Sequence, residues 1–208
     1  METGKGFSGF VLAGGRSKRM GSNKALLPLG GRRLVDWAID LIQPHVQETF
    51  VVGPPEVFPL LHVPVHPDEI RQAGPLGGIL TGLRHSRFER SLVLGVDLPF
   101  LAGAALERLL SACEGFDMTV PCIAGTHETL CAVYSKNCIT HIEAVLMAGQ
   151  KSVQELMACV RVRVLPEEDF QDLGGAAAFF NINTREDYDE AKRRVAHLHQ
   201  HVTGVQHG

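Results

Sequence analysis

The sequence has no apolar run that approaches the roughly 18 residues needed to cross a lipid bilayer. Its first stretch, METGKGFSGFVLAGG, combines a single lysine with a short apolar run. It lacks the longer apolar core and the cleavage site that are typical of a secretory signal peptide. We therefore expect a cytoplasmic protein that makes no contact with membranes.

Paired cysteines are also missing. The chain has five cysteines, an odd number, and no two of them form a C-x-x-C pair. This pattern disfavours a disulfide framework and a structural zinc site. We expect the cysteines to be small buried hydrophobic residues in a reducing compartment. They are Cys113, Cys122, Cys131, Cys138 and Cys159.

The sequence has no strong excess of charge of either sign. The formal net charge is −3 with the histidines neutral, which argues against nucleic-acid or membrane binding driven by bulk charge. The 208 residues are 45% hydrophobic and 21% charged, enough for one substantial core. We predict one domain over residues 1–195 and a disordered, histidine-rich tail over residues 196–208.

The sequence does contain a regular alternation of strand-like and helix-like segments over its first two thirds. GFSGFVLAG and SLVLGVDLPF hold continuous apolar runs typical of buried parallel strands, and RRLVDWAIDLIQPH has helical spacing. The alternation predicts an α/β fold of three layers, in which helices cover both faces of a mostly parallel, twisted sheet. DMTVPCIAGTHETLCAVY predicts a small β-hairpin insertion. FFNINTREDY predicts a strand and then a helix capped by Thr184 and Asp187.

The first predicted strand leads into an unusual loop, VLAGGRSKRMGSNKALLPLGG over residues 11–31. Gly14 and Gly15 allow backbone conformations that other residues avoid, and successive N–H groups there can form an anion-binding nest. Ligands of open α/β sheets lie beyond the carboxyl ends of the strands. We interpret the loop as a polyphosphate site, with a solvated basic turn as the alternative. Its cations are Arg16, Lys18, Arg19 and Lys24.

This loop follows neither the Walker A pattern nor G-x-G-x-x-G. It resembles the nucleotidyltransferase signature L-A-G/A-G-x-x-x-R-M-G-x-x-K, and its LAGG start is similar to the molybdenum cofactor guanylyltransferases. Three later segments resemble blocks of that family. AGPLGGILTGL matches a G-P-L-x-G loop, GVDLPFL matches a metal-binding segment, and FFNINTREDY matches F-x-N-x-N-T-P-E-D.

The resemblance implies a Rossmann-like nucleotidyltransferase fold. It implies transfer of GMP from GTP to the terminal phosphate of molybdopterin, with release of pyrophosphate and with Mg²⁺ as cofactor. It also implies that other proteins of molybdenum cofactor biosynthesis deliver the labile pterin.

Three residues are candidates for catalysis. Asp97 stands at the carboxyl end of a buried strand, where its carboxylate can hold a Mg²⁺ ion that takes its other ligands from water and phosphate. The alternative is that Asp97 caps the following helix. The resemblance implies that Lys24 stabilises charge at the α-phosphate and that Arg19 clamps the leaving pyrophosphate.

The resemblance also implies that two glycine-rich loops enclose the nucleotide. The first would present backbone groups to guanine, and the second, at residues 74–78, would form the opposite wall or a tight strand-to-helix connection. Asp68 would lie near the sugar. Gly53 stands where the family commonly has asparagine, so the resemblance leaves one contact with the base or ribose unassigned. The nucleotide-binding candidates are Leu12, Ala13, Gly14, Gly15, Lys24, Asp68, Gly74, Pro75, Leu76, Gly77, Gly78 and Asp97.

Asn181 and Asn183 alternate along FFNINT, so a strand would direct both amides to one face. They are candidates to bind the phosphate or pterin of the second substrate, and hydrogen bonding to a neighbouring loop is the alternative. The predicted hairpin, through His127 or Glu128, is a candidate wall of the pterin pocket.

Two other functions are compatible with these residues. One is a related enzyme that joins CTP to a pterin or a sugar phosphate. The other is a nucleotide-binding regulatory protein without activity, although Arg19, Lys24 and Asp97 are all present in the pattern expected of an active enzyme.

Overall fold

The computed structural model describes residues 6–14, 23–70 and 72–203, with the backbone alone for residues 198–203. Strands and helices alternate along most of this part of the chain. The strands are β1 (Phe7–Leu12), β2 (Pro28–Leu29), β3 (Arg32–Arg33), β4 (Glu48–Val52), β5 (Val65–His66), β6 (Arg90–Gly95), β7 (Met118–Ile123), β8 (Thr126–His127), β9 (Cys131–Ser135) and β10 (Val162–Pro166). The α-helices are α1 (Leu34–Ile42), α2 (Gly74–His85), α3 (Gly103–Ser111), α4 (Cys138–Met147), α5 (Val153–Met157) and α6 (Arg185–Thr203).

The central sheet has the strand order β10-β7-β9-β6-β1-β4-β5, and β8 pairs with β7. Strand β1 pairs in parallel with β4 and β6, β4 with β5, and β7 with β10. Strand β9 runs antiparallel to both β6 and β7. Strands β7 and β8 form the predicted small hairpin, whose turn residues Ala124 and Gly125 have φ angles of 48° and 76°. The predicted mostly parallel sheet is confirmed.

Helices cover both faces of this sheet. Val11 of β1 packs in one apolar cluster with α1 and α3, whereas its neighbour Phe10 packs in a second cluster with α2, α4 and α5. Successive side chains of a strand point to opposite faces, so a strand covered on both sides needs an unbroken apolar run. The three-layer arrangement that this run predicted is confirmed.

The last helix packs on a β-hairpin that was not predicted from the sequence. Strands β2 and β3 are joined by Gly30 and Gly31, with φ angles of 59° and 83°, a conformation that glycine adopts without steric cost. Leu29 of this hairpin is buried in a third apolar cluster, together with residues of α6 such as Tyr188. The Tyr188 hydroxyl donates a hydrogen bond to the carbonyl oxygen of Pro28.

Helix α6 extends further than the sequence analysis expected. It continues to Thr203, into the segment assigned to a tail, while residues 204–208 lie outside the described residues. Ion pairs between residues four apart support its exposed face, for example Glu190–Arg194 at 3.0 Å. None of the helices in the described ranges is both long and apolar enough to cross a membrane.

The register brings the carboxyl ends of four parallel strands to one level. Leu12 at the end of β1 lies opposite Val52 of β4 and Gly95 of β6, and Val52 lies opposite His66 of β5. The loops that follow these strands therefore meet along a single edge of the sheet, which is where α/β proteins bind their ligands.

Candidate active site

A pocket of about 250 Å³ lies at this edge. It is formed where the ends of β1 and β6 meet the start of β9 and two connecting segments. Its lining residues are Leu12, Ala13, Gly14, Asn23, Lys24, Ala25, Gly95, Val96, Asp97, Leu130 and Asn183. Six of them were candidates from the sequence: Leu12, Ala13, Gly14, Lys24, Asp97 and Asn183.

Lys24 lies at the centre of the polar contacts in this pocket. It begins a short 3-10 helix, Lys24–Leu26, whose start is capped by Asn23 through a hydrogen bond from Ala25 N to Asn23 Oδ1. Lys24 Nζ lies 3.2 Å from Asp97 Oδ2 and 3.4 Å from Asn183 Oδ1. The lysine and aspartate side chains are only 15% and 21% exposed, so water screens their attraction less than it would at the surface.

The position of Asp97 depends on the glycine two residues before it. A Cβ atom on Gly95 would lie 2.5 Å from Asp97 Oδ1, so only glycine leaves room for the carboxylate in this orientation. The Asp97 carbonyl accepts a hydrogen bond from Ile182 N at 3.0 Å. Helix α3 begins at Gly103 after Ala102, which shows that Asp97 is not its N-cap residue. Gly95 was not among the residues predicted from the sequence, although a glycine within the apolar run SLVLGV was a visible signal.

The loops after β1 and β4 pack closely through their glycines. Ala13 N donates to Val52 O at 3.0 Å, and a Cβ on Gly53 would lie 3.3 Å from Ala13 C and 3.4 Å from Gly14 N. A larger residue at position 53 would press on the β1 loop. Gly53 has no side chain to offer a ligand, and its backbone packs closely against the backbone of Ala13 and Gly14.

Residues 74–78 form the first turn and a half of α2, which corrects the expectation of a glycine-rich loop. Gly74 has a φ of 63°, which lets the chain turn sharply into the helix. A Cβ on Gly78 would lie 3.0 Å from Leu12 Cδ2, so the helix packs directly behind the β1 wall of the pocket. None of the residues Gly74, Pro75, Leu76, Gly77 and Gly78 lines the pocket itself.

Asp68 lies beside this helix and also outside the pocket lining. Its Oδ1 accepts hydrogen bonds from Ile70 N at 3.0 Å and from the Thr81 hydroxyl at 3.5 Å. Burial raises the pKa of the Asp68 carboxyl, because desolvation disfavours the charged form more than these hydrogen bonds favour it. Asp68 thus links the loop after β5 to α2.

The two asparagines of FFNINT contact different groups. Asn183 contacts Lys24, whereas Asn181 Nδ2 donates to both carboxylate oxygens of Glu128 at 3.3 and 3.2 Å. Burial raises the pKa of Glu128, and the negative charge of Asp97 raises it further, against the lowering effect of the Asn181 hydrogen bond.

The predicted strand over FFNINT is wrong. The residues between Phe179 and Thr184 form no strand. Ile182 N donates one hydrogen bond to Asp97 O, and no strand of the described part of the chain pairs with this segment. The predicted Thr184–Asp187 cap of α6 is confirmed by reciprocal hydrogen bonds at 2.8 and 3.1 Å.

Residues 15–22 lie outside the described residues, and with them the four candidates Gly15, Arg16, Lys18 and Arg19. Their roles remain predictions.

The donor atoms of the pocket suit a hard divalent cation. Within the described ranges no group of three or more histidine, cysteine, aspartate or glutamate side chains could hold a metal ion by itself. Asp97 offers one carboxylate, and the amide oxygen of Asn183 points to the same lysine nitrogen as Asp97 does. Oxygen ligands of this kind fit Mg²⁺, which retains waters and takes phosphate oxygens of its substrate.

Comparisons with known proteins agree with this geometry. Residues 9–169 match the family described as MobA-like NTP transferase domain. A probable molybdenum cofactor guanylyltransferase from Pelotomaculum thermopropionicum is 36% identical over 187 residues, which are 89% of this chain and 91% of the relative. A protein of the same description from Carboxydothermus hydrogenoformans is 32% identical over 86% of this chain and 92% of its own length.

A solved structure also matches this chain over most of its length. The molybdopterin-guanine dinucleotide biosynthesis protein A from Archaeoglobus fulgidus superposes with a TM-score of 0.81 at 25% identity, covering 91% of this chain and 99% of that one. The chain therefore belongs to the MobA-like NTP transferase family, and it is an enzyme of the nucleotidyltransferase class.

Proposed function

We propose that this enzyme transfers GMP from GTP to the terminal phosphate of molybdopterin, forming the guanine dinucleotide cofactor and pyrophosphate. The observation that supports it most directly is the convergence of Lys24, Asp97 and Asn183, from three distant parts of the chain, in one pocket at the carboxyl edge of the sheet. The names of the relatives support the choice of substrates.

In the proposed reaction an oxygen of the molybdopterin phosphate attacks the α-phosphorus of GTP. The new P–O bond forms as the bond between the α-phosphorus and the bridging oxygen to the β-phosphate breaks, and pyrophosphate leaves with those electrons. Such a displacement depends on alignment and charge neutralisation more than on a covalent nucleophile. Lys24 supplies a positive charge where the α-phosphate develops negative charge.

Asp97 and Asn183 would hold Mg²⁺ through their oxygen atoms. When bound, Mg²⁺ neutralises charge on the triphosphate and helps to orient it. The Lys24 ammonium contacts those same two oxygen-bearing side chains. Nucleotide binding therefore requires an exchange, in which Lys24 turns from Asp97 and Asn183 to the phosphate.

The remaining assignments place the nucleotide along β1, β4 and β5. The backbone of Leu12, Ala13 and Gly14 would contact guanine, with Gly15 continuing the loop, and Arg19 would hold the pyrophosphate. Asp68 and residues 74–78 would lie on the sugar and base side, behind the wall formed by Leu12. We also propose that another protein of the pathway hands over the pterin in the cytoplasm.

The test is an incubation of the purified protein with GTP, Mg²⁺ and molybdenum-loaded molybdopterin, in which pyrophosphate release is followed. We expect release that requires all three components and that falls at least a hundredfold in Asp97→Asn, whose amide keeps the size of the carboxylate but loses its charge. A parallel titration with GTP and CTP separates the nucleotides. Preference for CTP contradicts the guanylyl assignment, and nucleotide binding without turnover supports a regulatory protein instead.

A further inference from the structure

The segment that joins β8 to β9 is fixed at each of its residues. Glu128 N donates to a carbonyl of β7 at 2.9 Å, and the buried Tyr134 hydroxyl donates to Thr129 O at 2.7 Å. Leu130 O accepts a hydrogen bond from Gly95 N at 2.6 Å. Since Leu130 lines the pocket and Gly95 ends β6, this segment forms a rigid wall beside Asp97.

The Glu128 carboxylate in this wall has hydrogen-bonding capacity that the protein does not use. Its two oxygens accept only from Asn181 Nδ2, and no lysine, arginine or histidine pairs with it among the residues that the structure describes. A carboxylate offers about four lone-pair sites, so most of them remain for a ligand. Glu128 is half-buried, so its carboxylate has already lost part of its contact with water. An N–H donor that binds there supplies hydrogen bonds in place of those lost to water.

The strand order places Glu128 on the β9 side of Asp97, away from the proposed nucleotide contacts on the β1 side. Strand β6, which leads to Asp97, lies between β1 and β9. The proposed nucleotide contacts follow β1, β4 and β5, whereas Glu128 precedes β9 on the other side. An in-line displacement brings the acceptor to the α-phosphorus opposite the leaving group. With the nucleotide proposed to lie along β1, β4 and β5, the acceptor would lie on the β9 side.

We propose that Glu128 recognises the N–H donor edge of the acceptor's pterin, namely its ring N–H and the adjacent exocyclic amine, and that Asn181 positions the carboxylate. The inference rests on the proposed function, which supplies the pterin. The phosphate of the acceptor is not the group that Glu128 binds, because a phosphate beside Glu128 and Asp97 would add a third negative charge to a partly buried site. Two parallel N–H donors match the two oxygens of a carboxylate.

The main test uses Glu128→Gln, which retains the shape of the side chain but exchanges one acceptor oxygen for a donor and removes the charge. We expect the KM for molybdopterin to rise about 10- to 100-fold, the range for loss of hydrogen bonds to a charged group. The Kd for a non-hydrolysable GTP analogue and the affinity for Mn²⁺ in its presence stay unchanged. Glu114→Gln, at an exposed position outside this pocket, is the control and leaves all three values unchanged.

A ligand comparison tests the same contact without turnover. 6-Hydroxymethylpterin and 6-hydroxymethyllumazine differ in the exocyclic amine, which is a carbonyl in the lumazine. The wild-type protein should bind the pterin more tightly, and Glu128→Gln should lose most of that preference. Asn181→Ala should raise the KM for molybdopterin without changing kcat, and it should add little in a double variant with Glu128→Gln.

Several outcomes overturn the proposal. The first is an unchanged KM and an unchanged ligand preference in Glu128→Gln. The second is an equal loss of GTP affinity, which would assign Glu128 to the nucleotide site. The third is a loss of Mn²⁺ affinity, which would make Glu128 a metal ligand. If wild-type protein binds GTP but releases no pyrophosphate with molybdopterin, the proposed function fails instead. The ligand comparison then still decides whether Glu128 binds a pterin.

Discussion

Lys24 contacts two side chains of the pocket, and we propose that it turns to the triphosphate when GTP binds. Its ammonium contacts Asp97 and Asn183, both of which carry oxygen atoms suited to a metal ion. In the proposed reaction the same charge would serve first these contacts within the pocket and then the reacting phosphate. Its contribution should appear mainly in the chemical step, when negative charge at the α-phosphorus is greatest.

We predict that Lys24→Gln lowers kcat by about 10²–10³, the usual cost of removing one group that stabilises the transition state. The Kd for GTP should change much less, because other groups of the site also bind the nucleotide. Single-turnover pyrophosphate release and calorimetric titration with a GTP analogue measure the two values separately. Equal losses in binding and in turnover would show that Lys24 serves only as a binding residue.

Gly95 is a second single residue on which the site depends. Alanine there places a Cβ 2.5 Å from Asp97 Oδ1, so the carboxylate must shift from the position in which it contacts Lys24. We predict that Gly95→Ala lowers kcat at least tenfold while the circular dichroism spectrum stays native. Weaker Mn²⁺ binding in the presence of a GTP analogue should accompany the loss, as in Asp97→Asn. Wild-type activity in Gly95→Ala would mean that Asp97 acts in another orientation.

At the level of elements, helix α2 owes its close approach to the sheet to its glycines. A Cβ on Gly82 would overlap the ring of Phe10 in β1, which is itself buried and stacked on Phe50 at 5.4 Å between ring centroids. The Phe10 ring is fully buried in a core where close packing leaves few voids. One helical turn earlier, Gly78 packs in the same way against Leu12, which lines the pocket.

We predict that Gly82→Ala destabilises the protein despite the better helix propensity of alanine. The propensity gain is about 1 kcal/mol and the cost of overpacking a core is about 1–3 kcal/mol, so a net loss of roughly 1 kcal/mol is expected. Urea unfolding measures the difference. The control is the reverse exchange, Ala104→Gly, at an exposed position of α3, where helix propensity changes without any change in core packing. A more stable Gly82→Ala protein would contradict the close packing of α2 on β1.

At the scale of the whole molecule, Asp117 joins three segments at one edge of the sheet. Its carboxylate accepts hydrogen bonds from Arg161 N, Nε and Nη2 at 3.0–3.1 Å and from Asn137 Nδ2 at 3.1 Å. Arg161 precedes β10, and Asn137 precedes α4. The Arg161 guanidinium, more than any other group, holds the pKa of the Asp117 carboxyl well below its usual value of 3.8.

A carboxyl group whose pKa is lower in the folded state stabilises the protein above its unfolded-state pKa and loses that effect as the pH falls towards the folded-state pKa. We predict that Asp117→Asn lowers the free energy of unfolding by about 1 kcal/mol at pH 7, because the Arg161 side chain is 67% exposed and water screens its attraction to Asp117. The gap to wild type should narrow below about pH 4. Urea unfolding at pH 7 and at pH 3 tests both statements, with Asp172→Asn, at an exposed ion pair with Arg108, as control.

Local patterns were sufficient where neighbouring residues decide the structure. The unbroken apolar run through Phe10 and Val11 predicted a strand covered on both faces, because a buried parallel strand has no polar side. Thr184 and Asp187 predicted a helix start that their hydrogen bonds confirm. The glycines and the lysine after β1 predicted a site at the edge of the sheet where Gly14 and Lys24 line a pocket, because chain direction determines where a strand ends.

The tertiary structure alone decided which distant side chains meet. FFNINT alternates as a strand does, yet it lacks a partner strand, and hydrogen bonding between strands is a property of two segments rather than one. Asn181 and Asn183 look equivalent in sequence, but one contacts Glu128 and the other Lys24. Composition and periodicity thus determined the layers and the edge of the sheet, whereas the contacts of Lys24, Asp97 and Glu128 depend on packing between segments up to 159 positions apart.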